Sequence, residues 1–272
     1  MFVKVQFNFN FDCSFERDKF NIFRFMISKN QVKLIRSLHV KKFREREGLF
    51  IAEGEKIVNG LLNSDFKIHS FYFTSEWNGR IEKQNISYEI SEEDLKKISL
   101  LESPNKILAV AHIPACKIDI HKLTDGFTLM LDDIQDPGNL GTIIRTADWF
   151  GIKNIICSKE SVDAFNPKVV QSSMGSLFST NIFYEDLENV LLHVKKEFNI
   201  PVYGAVTDGK NILDKNLDSK SILLMGNESK GISESLLSLV DEKITILKQG
   251  KSAAESLNVA IATSILCYEF CK

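Results

Sequence analysis

Hydrophobic and polar positions follow two different periods along this chain. Short apolar runs typical of β-strands alternate with segments in which apolar residues recur every three or four positions, as in amphipathic helices. In the first half, strands are predicted at 49–52, 68–74, 86–90 and 107–113, and helices within 28–46 and at 55–62. Ser91, with an acid three residues later, indicates the start of another helix. This alternation predicts a small α/β domain over residues 26–113.

A second α/β domain is predicted over residues 127–272. Residues 114–126 contain Pro114 and Gly126 and have no strong period, so they are interpreted as a linker. The predicted strands are 128–131, 154–157, 202–205, 221–225 and 243–247, and the predicted helices are 139–150, 167–174, 187–197, 233–240 and 255–270. Strands that alternate with helices imply a mostly parallel sheet covered on both faces.

Residues 1–25 differ from the rest of the chain. Eight of the twenty phenylalanines lie there, and residues 3–11 alternate apolar and polar side chains as a strand does. Charged residues between 12 and 19 interrupt the continuous apolar core that a secretory signal needs. The segment is either an extra strand or arm, or translated upstream sequence with the natural start at Met26. The second interpretation is preferred, because the sequence after Met26 reads as ordinary domain sequence.

Composition narrows the classes of protein. The 272 residues, 44% of them hydrophobic, are enough for about two globular domains. A formal net charge of −2 argues against a uniformly basic nucleic-acid-binding protein but allows a local basic patch. No apolar run approaches the ~18–20 residues of a membrane span. Five cysteines without a CxxC pair argue against a disulfide framework or a zinc site and favour the reducing cytoplasm, and Cys267 and Cys271 are interpreted as core residues of one helix.

Residues 29–46 carry a local excess of positive charge. Only one acid, Glu45, lies among seven cations, which are Lys29, Lys33, Arg36, Lys41, Lys42, Arg44 and Arg46. The excess predicts a phosphate-binding patch, whose affinity for nucleic acid should fall steeply with salt. The alternative interpretation is the solvated face of a helix.

Three segments in the second half each pass from an apolar strand through small and polar residues into helix-like sequence. Such strand ends are where α/β proteins place ligands. In the first segment, 131–147, Asn139 and Arg145 lie near a helix start, where a guanidinium beside free amides suits an anion such as phosphate. The alternative is a capping Asn and a surface Arg. The sequence has neither the dinucleotide-binding nor the P-loop fingerprint.

The other two segments, 223–233 and 244–262, add glycines and further polar residues. Gly226 is predicted to allow close approach of the backbone to a ligand, and Gly231 to adopt a positive φ. Glu228 either accepts hydrogen bonds or caps the following helix. Ser256 is a candidate N-cap, and Asn258 is placed in the first helical turn, although Asn is a poor helix former.

Taken together, the three segments resemble the three motifs of the SpoU/TrmH-type RNA 2′-O-ribose methyltransferases, in the SPOUT superfamily. The resemblance covers about residues 127–270, in the right order and spacing. The matching positions are Asn139 and Arg145 in motif one, Gly226, Glu228 and Gly231 in motif two, and Ser256, Leu257 and Asn258 in motif three. Residues 28–113 also resemble the family's N-terminal, ribosomal-protein-like substrate-binding domain, through 42–54 and Ser103-Pro104-Asn105.

The resemblance implies a trefoil knot in the C-terminal α/β domain, a rare exception among folds. It implies that S-adenosylmethionine binds at the knot, contacting backbone around Val206, Gly226, Ile246 and Leu257. It also implies a homodimer, with the active site completed across the interface and no metal needed. Two departures concern the cofactor loop: Leu247-Lys248 stands where the family often has Pro-Met, and the loop 249–255 is slightly long.

The implied reaction transfers a methyl group to a ribose 2′-hydroxyl of structured RNA, ribosomal RNA more than transfer RNA. Because arginine stays protonated in proteins, Arg145 is assigned to a phosphate and to the developing oxyanion, while an RNA phosphate or water takes the proton. Asn139, Glu228 and Ser256 would orient RNA and Arg145, and Asn258 would also handle RNA. The alternatives are an inactive RNA-binding assembly factor on the same fold and a SPOUT-type base methyltransferase.

Overall fold

A computed structural model describes residues 23–24, 26–81, 86–115, 117–123, 126–214, 217–250, 253 and 255–272. Within these residues the chain forms two β-sheets, each accompanied by its own helices. The strand pattern at 3–11 lies outside the described residues, and the domain boundaries near 113 and 127 stay predictions.

The first sheet belongs to the N-terminal part of the chain. Its elements are β1 Phe23–Arg24, α1 Lys29–Ser37, α2 Lys41–Glu47, β2 Leu49–Glu53, α3 Glu55–Leu62, β3 Ile68–Phe73, β4 Ser87–Glu89, α4 Glu92–Ile98 and β5 Ile107–His112. The strand order is β1-β4-β3-β5-β2. Strand β4 is parallel to β1 and β3, whereas β5 is antiparallel to β3 and β2. The small α/β fold predicted for this part is confirmed.

Local sequence explains where these helices begin and end. Ser28 and Gln31 form a capping box at the start of α1, because each side chain accepts a hydrogen bond from the other residue's backbone N–H, at 3.2 and 2.9 Å. Helix α2 ends at Gly48, whose φ of 63° is left-handed. The predicted helix-to-turn region is therefore two helices. The predicted cap at Ser91 is confirmed by a bond from the Asp94 N–H.

The second sheet is built from the rest of the chain. Its elements are α5 Ile120–Leu123, β6 Thr128–Leu131, α6 Pro137–Trp149, β7 Asn154–Ser158, α7 Pro167–Ser173, β8 Asn181–Glu185, α8 Leu187–Glu197, β9 Val202–Asn211, β10 Ile222–Met225, α9 Glu234–Leu237, β11 Glu242–Thr245 and α10 Val259–Cys271. The strand order is β11-β9-β10-β6-β7-β8, and every neighbouring pair is parallel. The predicted, mostly parallel sheet is confirmed.

Several elements of the second sheet differ from the prediction. Strand β8 is not among the predicted strands, because its apolar run, Ile182 to Tyr184, is only three residues long and is flanked by Asn181 and Glu185. Strand β9 extends past its predicted end through a bulge: Lys243 of β11 pairs with Gly204, but the next residue, Ile244, pairs with Lys210. Helix α10 begins at Val259, later than predicted, and α5 occupies part of the predicted linker.

An ion pair and an aromatic cluster join the two sheets. Arg44 is 1% exposed. Its Nη2 and Nε donate to Asp163 Oδ2 at 2.6 and 2.9 Å, and its Nη1 donates to the Leu38 carbonyl at 2.8 Å. The predicted RNA contact of Arg44 is therefore wrong, because its charge is balanced inside the protein by an acid of the second half.

Four phenylalanines pack beside this ion pair. Phe50 and Phe66 come from the first half, Phe165 and Phe178 from the second, and their ring centroids lie 4.9–6.4 Å apart. They belong to one hydrophobic core that also includes the inner faces of both sheets. Burial of this aromatic surface holds strand β2 and the segment before β3 against the second half of the chain.

Helix α10 is apolar on nearly every side. One side packs into the core through Val259, Leu266, Cys267 and Phe270. The opposite side exposes Ile261, Ile265 and Tyr268. The core position predicted for Cys267 is confirmed, but that for Cys271 is wrong, because this residue is exposed at the last position of the helix. In the described part of the chain, no helix has both the length and the apolar character to cross a membrane.

Candidate active site

Three side chains, one from each predicted motif, form a hydrogen-bonded chain at the carboxyl edge of the parallel sheet. Asn258 Nδ2 donates to Asn139 Oδ1 at 2.9 Å, and Asn139 Nδ2 donates to Glu228 Oε1 at 2.7 Å. The direction is fixed at both ends. Asn258 Oδ1 already accepts from the backbone of α10, and an ionised carboxylate only accepts. Asn139 is therefore held from both sides, and the structure brings the three motifs together as the sequence predicts.

Glu228 is presented by a tight turn between β10 and α9. Asn227 and Gly231 exchange two backbone hydrogen bonds, at 3.0 and 2.9 Å. Gly231 has the predicted positive φ, 71°. A Cβ on Gly226 would lie 2.2 Å from the Gly231 carbonyl carbon. The close approach that Gly226 permits is thus to the chain's own backbone, which differs from the predicted approach to a ligand.

Helix α6 begins one turn before the position that Asn139 suggests. Asp136 is the N-cap, and its carboxylate accepts from the Asn139 N–H at 2.8 Å, with Pro137 at the first helical position. The capping alternative for Asn139 is therefore wrong. Gly141 allows α6 to approach α7, because a Cβ there would lie 1.9 Å from Ser172 Oγ. The Asp-Pro pair is a cap signal that sequence reasoning missed.

Asn258 is the N-cap of α10. Its Oδ1 accepts from the N–H groups of Ala260 and Ile261, at 3.0 and 3.3 Å. The prediction that places Asn258 inside the first turn is wrong. An asparagine suits this position because its Oδ1 caps the helix while its Nδ2 is free to donate to Asn139. Ser256 and Leu257 precede it and are exposed, and Ser256 makes no hydrogen bond to the described residues.

Arg145 stands apart from this chain of hydrogen bonds. It lies on the exposed side of α6, and no described residue hydrogen-bonds to its guanidinium. Six residues after Asn139, it is about 9 Å further along the helix axis and about 120° around it. Trp149, one turn later on the same side, is 84% exposed. Thr146 holds this helix against α10 through a hydroxyl contact of 2.8 Å with Ser264.

Three of the four residues predicted to contact the cofactor lie on neighbouring strands. Gly226 directly follows β10, Ile246 directly follows β11, and Val206 lies in the bulged part of β9 between them. Leu257, the fourth, directly precedes the N-cap of α10. Val206 and Ile246 are half-buried, and Leu257 is 47% exposed. This part of the sheet therefore combines apolar side chains with the polar backbone of two strand ends.

Buried thiols do not contribute a nucleophile to this edge. Burial raises the pKa of Cys157 to about 12, and burial likewise raises the pKa of Cys267. Both thiols therefore stay protonated at neutral pH. Across the residues that the structure describes, no group of three or more His, Cys, Asp or Glu side chains is arranged to hold a metal ion.

Six of the seven cations predicted for RNA are exposed on α1, on α2 or between them, and these are Lys29, Lys33, Arg36, Lys41, Lys42 and Arg46. Two of them have acidic neighbours: Lys41 lies 4.0 Å from Glu45, and Arg46 lies 2.6 Å from Glu47. The other four form no ion pair with a described acid. A net positive surface therefore remains around α1.

Comparison with protein families places both halves of the chain. The SpoU rRNA Methylase family matches residues 126–268, and the MRM3-like substrate binding domain matches residues 29–109. The 23S rRNA (guanosine(2553)-2'-O)-methyltransferase of Bacillus subtilis is 34% identical over 245 residues, which cover 89% of this chain and 96% of that protein.

Solved structures agree with the family matches. A putative RNA methyltransferase of the TrmH family from Porphyromonas gingivalis has a TM-score of 0.82 and 38% identity, over 90% of this chain and 98% of its own. An AdoMet-bound rRNA methyltransferase from Sinorhizobium meliloti has a TM-score of 0.78 and 29% identity, over 90% and 96%. Because a family match covers more than half of the chain and the Bacillus relative aligns along nearly its whole length, this chain belongs to the SpoU rRNA methylase family.

Proposed function

We propose that this chain transfers a methyl group from S-adenosylmethionine to a ribose 2′-hydroxyl of structured RNA, and acts on ribosomal RNA in preference to transfer RNA. The observation that carries the proposal is the hydrogen-bonded chain Asn258–Asn139–Glu228, which links all three motifs at one sheet edge. The Bacillus relative, a 23S rRNA ribose methyltransferase, supports the choice of RNA.

The residues at the sheet edge fit the cofactor. Adenosine offers a flat apolar ring with polar edges, and Val206, Ile246 and the exposed Leu257 supply apolar surface beside the strand end at Gly226. We assign these four residues to cofactor binding, with hydrogen bonds coming from backbone groups. When bound, the cofactor supplies an electrophilic methyl group attached to a positively charged sulfur.

We assign Arg145 to the RNA side of the site. Its guanidinium pairs with no described acid, so it remains available for an RNA phosphate and for negative charge developing on the 2′-oxygen. It cannot accept the proton, because arginine stays protonated, so an RNA phosphate or water takes it. Asn139 and Asn258 are positioning residues for Glu228, whose carboxylate and the exposed Ser256 hydroxyl are left to orient the ribose.

We further propose that the protein is a homodimer. The exposed apolar side chains on neighbouring α6 and α10 are Trp149, Ile261, Ile265 and Tyr268. Exposed large apolar side chains concentrated on two packed helices are typical of a protein–protein interface. Arg145 lies one helical turn from Trp149, so a partner that covers this surface also borders Arg145. That placement supports an active site completed by the second subunit.

The trefoil knot and the cytoplasmic location belong to the same proposal. Strand β9 lies between β10 and β11, which follow it in sequence, and α10 returns to pack on α6, an arrangement that suits a threaded C-terminus. The thiols of Cys157, Cys267 and Cys271 are unpaired, which favours a reducing compartment.

A methyl-transfer assay tests the proposed reaction. The chain is incubated with labelled S-adenosylmethionine and, separately, with total ribosomal and transfer RNA from cells that lack it, and the RNA is digested to nucleosides. We expect label in a 2′-O-methylnucleoside from ribosomal RNA. Label on a base would instead indicate a base methyltransferase, and no label beside an active control enzyme would indicate an assembly factor.

A further inference from the structure

A groove between α1 and α2 lies outside the motif edge, which is the carboxyl edge of the parallel sheet with Asn139, Glu228 and Asn258. Its volume is about 540 Å³, and it is lined by Asn30, Lys33, Leu34, Ser37, Phe43 and Arg46. Its surface is mostly apolar, although exposed cations surround it. An apolar groove with a positively charged rim matches a ligand that is flat, apolar on its faces and attached to phosphates.

We propose that this groove binds one unpaired, unstacked nucleobase of the RNA substrate. The inference rests on the proposed function, since it takes RNA as the substrate, and it names the feature of the RNA that the N-terminal domain recognises. Sequence-specific proteins reach RNA bases mainly where these are unpaired and can be splayed out of the helix.

The stacking surface is a phenylalanine with an arginine held over it. The Arg46 guanidinium carbon lies 4.8 Å from the centroid of the half-buried Phe43 ring. Arg46 Nε and Nη2 both donate to Glu47 Oε1, at 2.8 and 2.6 Å, which fixes the guanidinium relative to the ring. Aromatic rings and arginine planes are the surfaces on which proteins stack unpaired bases.

The rim of the groove supplies polar and positively charged groups. Ser37 Oγ donates its proton to the Leu34 carbonyl at 2.7 Å, so its lone pairs remain available to accept from a base edge. The Asn30 amide is exposed, with no hydrogen bond among the described residues. Lys33 has no acidic partner there either and lies where the phosphates flanking a bound base would pass.

The groove is linked to the loop that leads into α6, the helix that carries Asn139 and Arg145. Between Phe43 and Arg46, the same helix directs Arg44 inward to Asp163. The preceding residue, Val162, donates its N–H to the Ile134 carbonyl at 2.8 Å, in the loop that leads into α6. A base in the groove and a ribose beside α6 are therefore kept at a constant separation, which would select one nucleotide by its distance from the extruded base.

Hairpin RNAs separate this proposal from simple phosphate binding. Backbone contacts carry no information about bases, so a cation patch alone binds paired and bulged RNA alike. The probes are a labelled hairpin with one bulged adenosine, the same hairpin fully paired, and the bulged hairpin with an abasic site. Fluorescence anisotropy with the full chain should show roughly tenfold tighter binding of the bulged adenosine than of the other two.

Substitutions in the groove should remove this preference. Phe43→Ala should make the three affinities equal while leaving the affinity for the paired hairpin unchanged. When the fluorescent base 2-aminopurine replaces the bulged adenosine, stacking in the groove should quench its fluorescence, and Phe43→Ala should remove this quenching. Because Phe43 is half-buried, the exposed Arg46 provides a second variant: Arg46→Ala should lower the ratio of affinities severalfold. Lys196→Ala on α8, far along the chain, is the control that should keep the ratio.

Equal binding of all three hairpins by the unaltered chain would overturn the proposal, as would a preference that survives both groove substitutions. The hairpin assay contains no cofactor, so it is independent of methyl transfer. Methyl transfer to ribosomal RNA without any hairpin preference would reject the groove and leave the proposed reaction standing. A hairpin preference without methyl transfer would reject the reaction and leave the groove.

Discussion

Polar side chains are arranged in opposite ways at the motif edge and on the cationic helices α1 and α2. At the motif edge, Asn139, Glu228 and Asn258 bond to one another, so their geometry is set before any ligand arrives. On the helices, cations such as Lys29 and Lys33 have no acidic partner among the described residues and supply charge without fixed geometry. The motif edge depends on particular residues, whereas these lysines act mainly through their total charge.

Three arginines show that its surroundings decide whether a side chain has a fixed geometry or only supplies charge. Arg44 is buried against Asp163, Arg46 lies over Phe43, and Arg145 is exposed on α6 without a described partner. Each arginine can be replaced by alanine, so the effects of the three surroundings on turnover and stability can be compared directly.

The largest effect is expected from Arg145→Ala. Removal of one group that stabilises a developing oxyanion lowers turnover by about 10²–10³-fold. Affinity for S-adenosylmethionine, measured by calorimetry, should not change, because Arg145 lies on helix α6 and is not among the residues assigned to the cofactor. Arg145→Lys keeps the charge without the planar fork and should recover part of the rate. Unchanged turnover in Arg145→Ala would remove this residue from the mechanism.

Stability should separate two arginines of helix α2. Arg44→Ala leaves the half-buried Asp163 carboxylate without its partner, which should lower the free energy of unfolding by about 2–4 kcal/mol. Arg46→Ala breaks an exposed pair with Glu47 and should cost less than about 1 kcal/mol. Urea denaturation of both variants measures the difference. Equal losses would contradict the interior role of Arg44.

Asn258 should distinguish helix capping from positioning. Asn258→Ala removes both functions, so stability should fall by about 1 kcal/mol and methyl transfer should slow. Asn258→Asp keeps an acceptor for the cap but cannot donate to Asn139, so stability should hold while methyl transfer slows. Ser256→Ala is the matched control and should leave the unfolding midpoint unchanged. A rate unaffected by Asn258→Asp would show that the hydrogen-bonded chain is not needed for the reaction.

The smallest effect is expected from a single lysine of the cationic surface. For the fully paired hairpin, Lys33→Ala should reduce the slope of log affinity against log salt by about 0.7–0.9, the loss of one phosphate contact. Lys196→Ala, on α8, should leave the slope as it was. If neither substitution changes the slope of log affinity against log salt, Lys33 does not contact an RNA phosphate.

Local pattern is enough to predict most of the alternating elements and the parallel sheet, whereas the grouping of Asn139, Glu228 and Asn258 in one site follows from the resemblance to the three family motifs. Local pattern fails where the deciding partner is distant in sequence. Arg44 reads as one more cation of a basic run, because Asp163, its partner, is 119 positions away. The same limit applies to Gly226, whose close neighbour is the backbone of a turn that only the folded chain defines.

Short-range signals were also misread in two places. Asn258 was placed inside α10, although Asn is favoured at an N-cap and the apolar run begins just after it. Strand β8, at the sheet edge, has an apolar run of only three residues, Ile182 to Tyr184, which is shorter than the run of about 4–8 residues by which a strand is recognised. Neither position could be recognised from hydrophobic period alone.

The position of the transferred methyl group decides between ribose methylation and base methylation. Ribosomal RNA methylated by the chain with labelled cofactor is hydrolysed completely in alkali, which cleaves each phosphodiester through attack by the neighbouring 2′-oxygen. A methyl group on that oxygen blocks the cleavage, so the account predicts label in an alkali-resistant dinucleotide. Label in mononucleotides would place the methyl group on a base and contradict it.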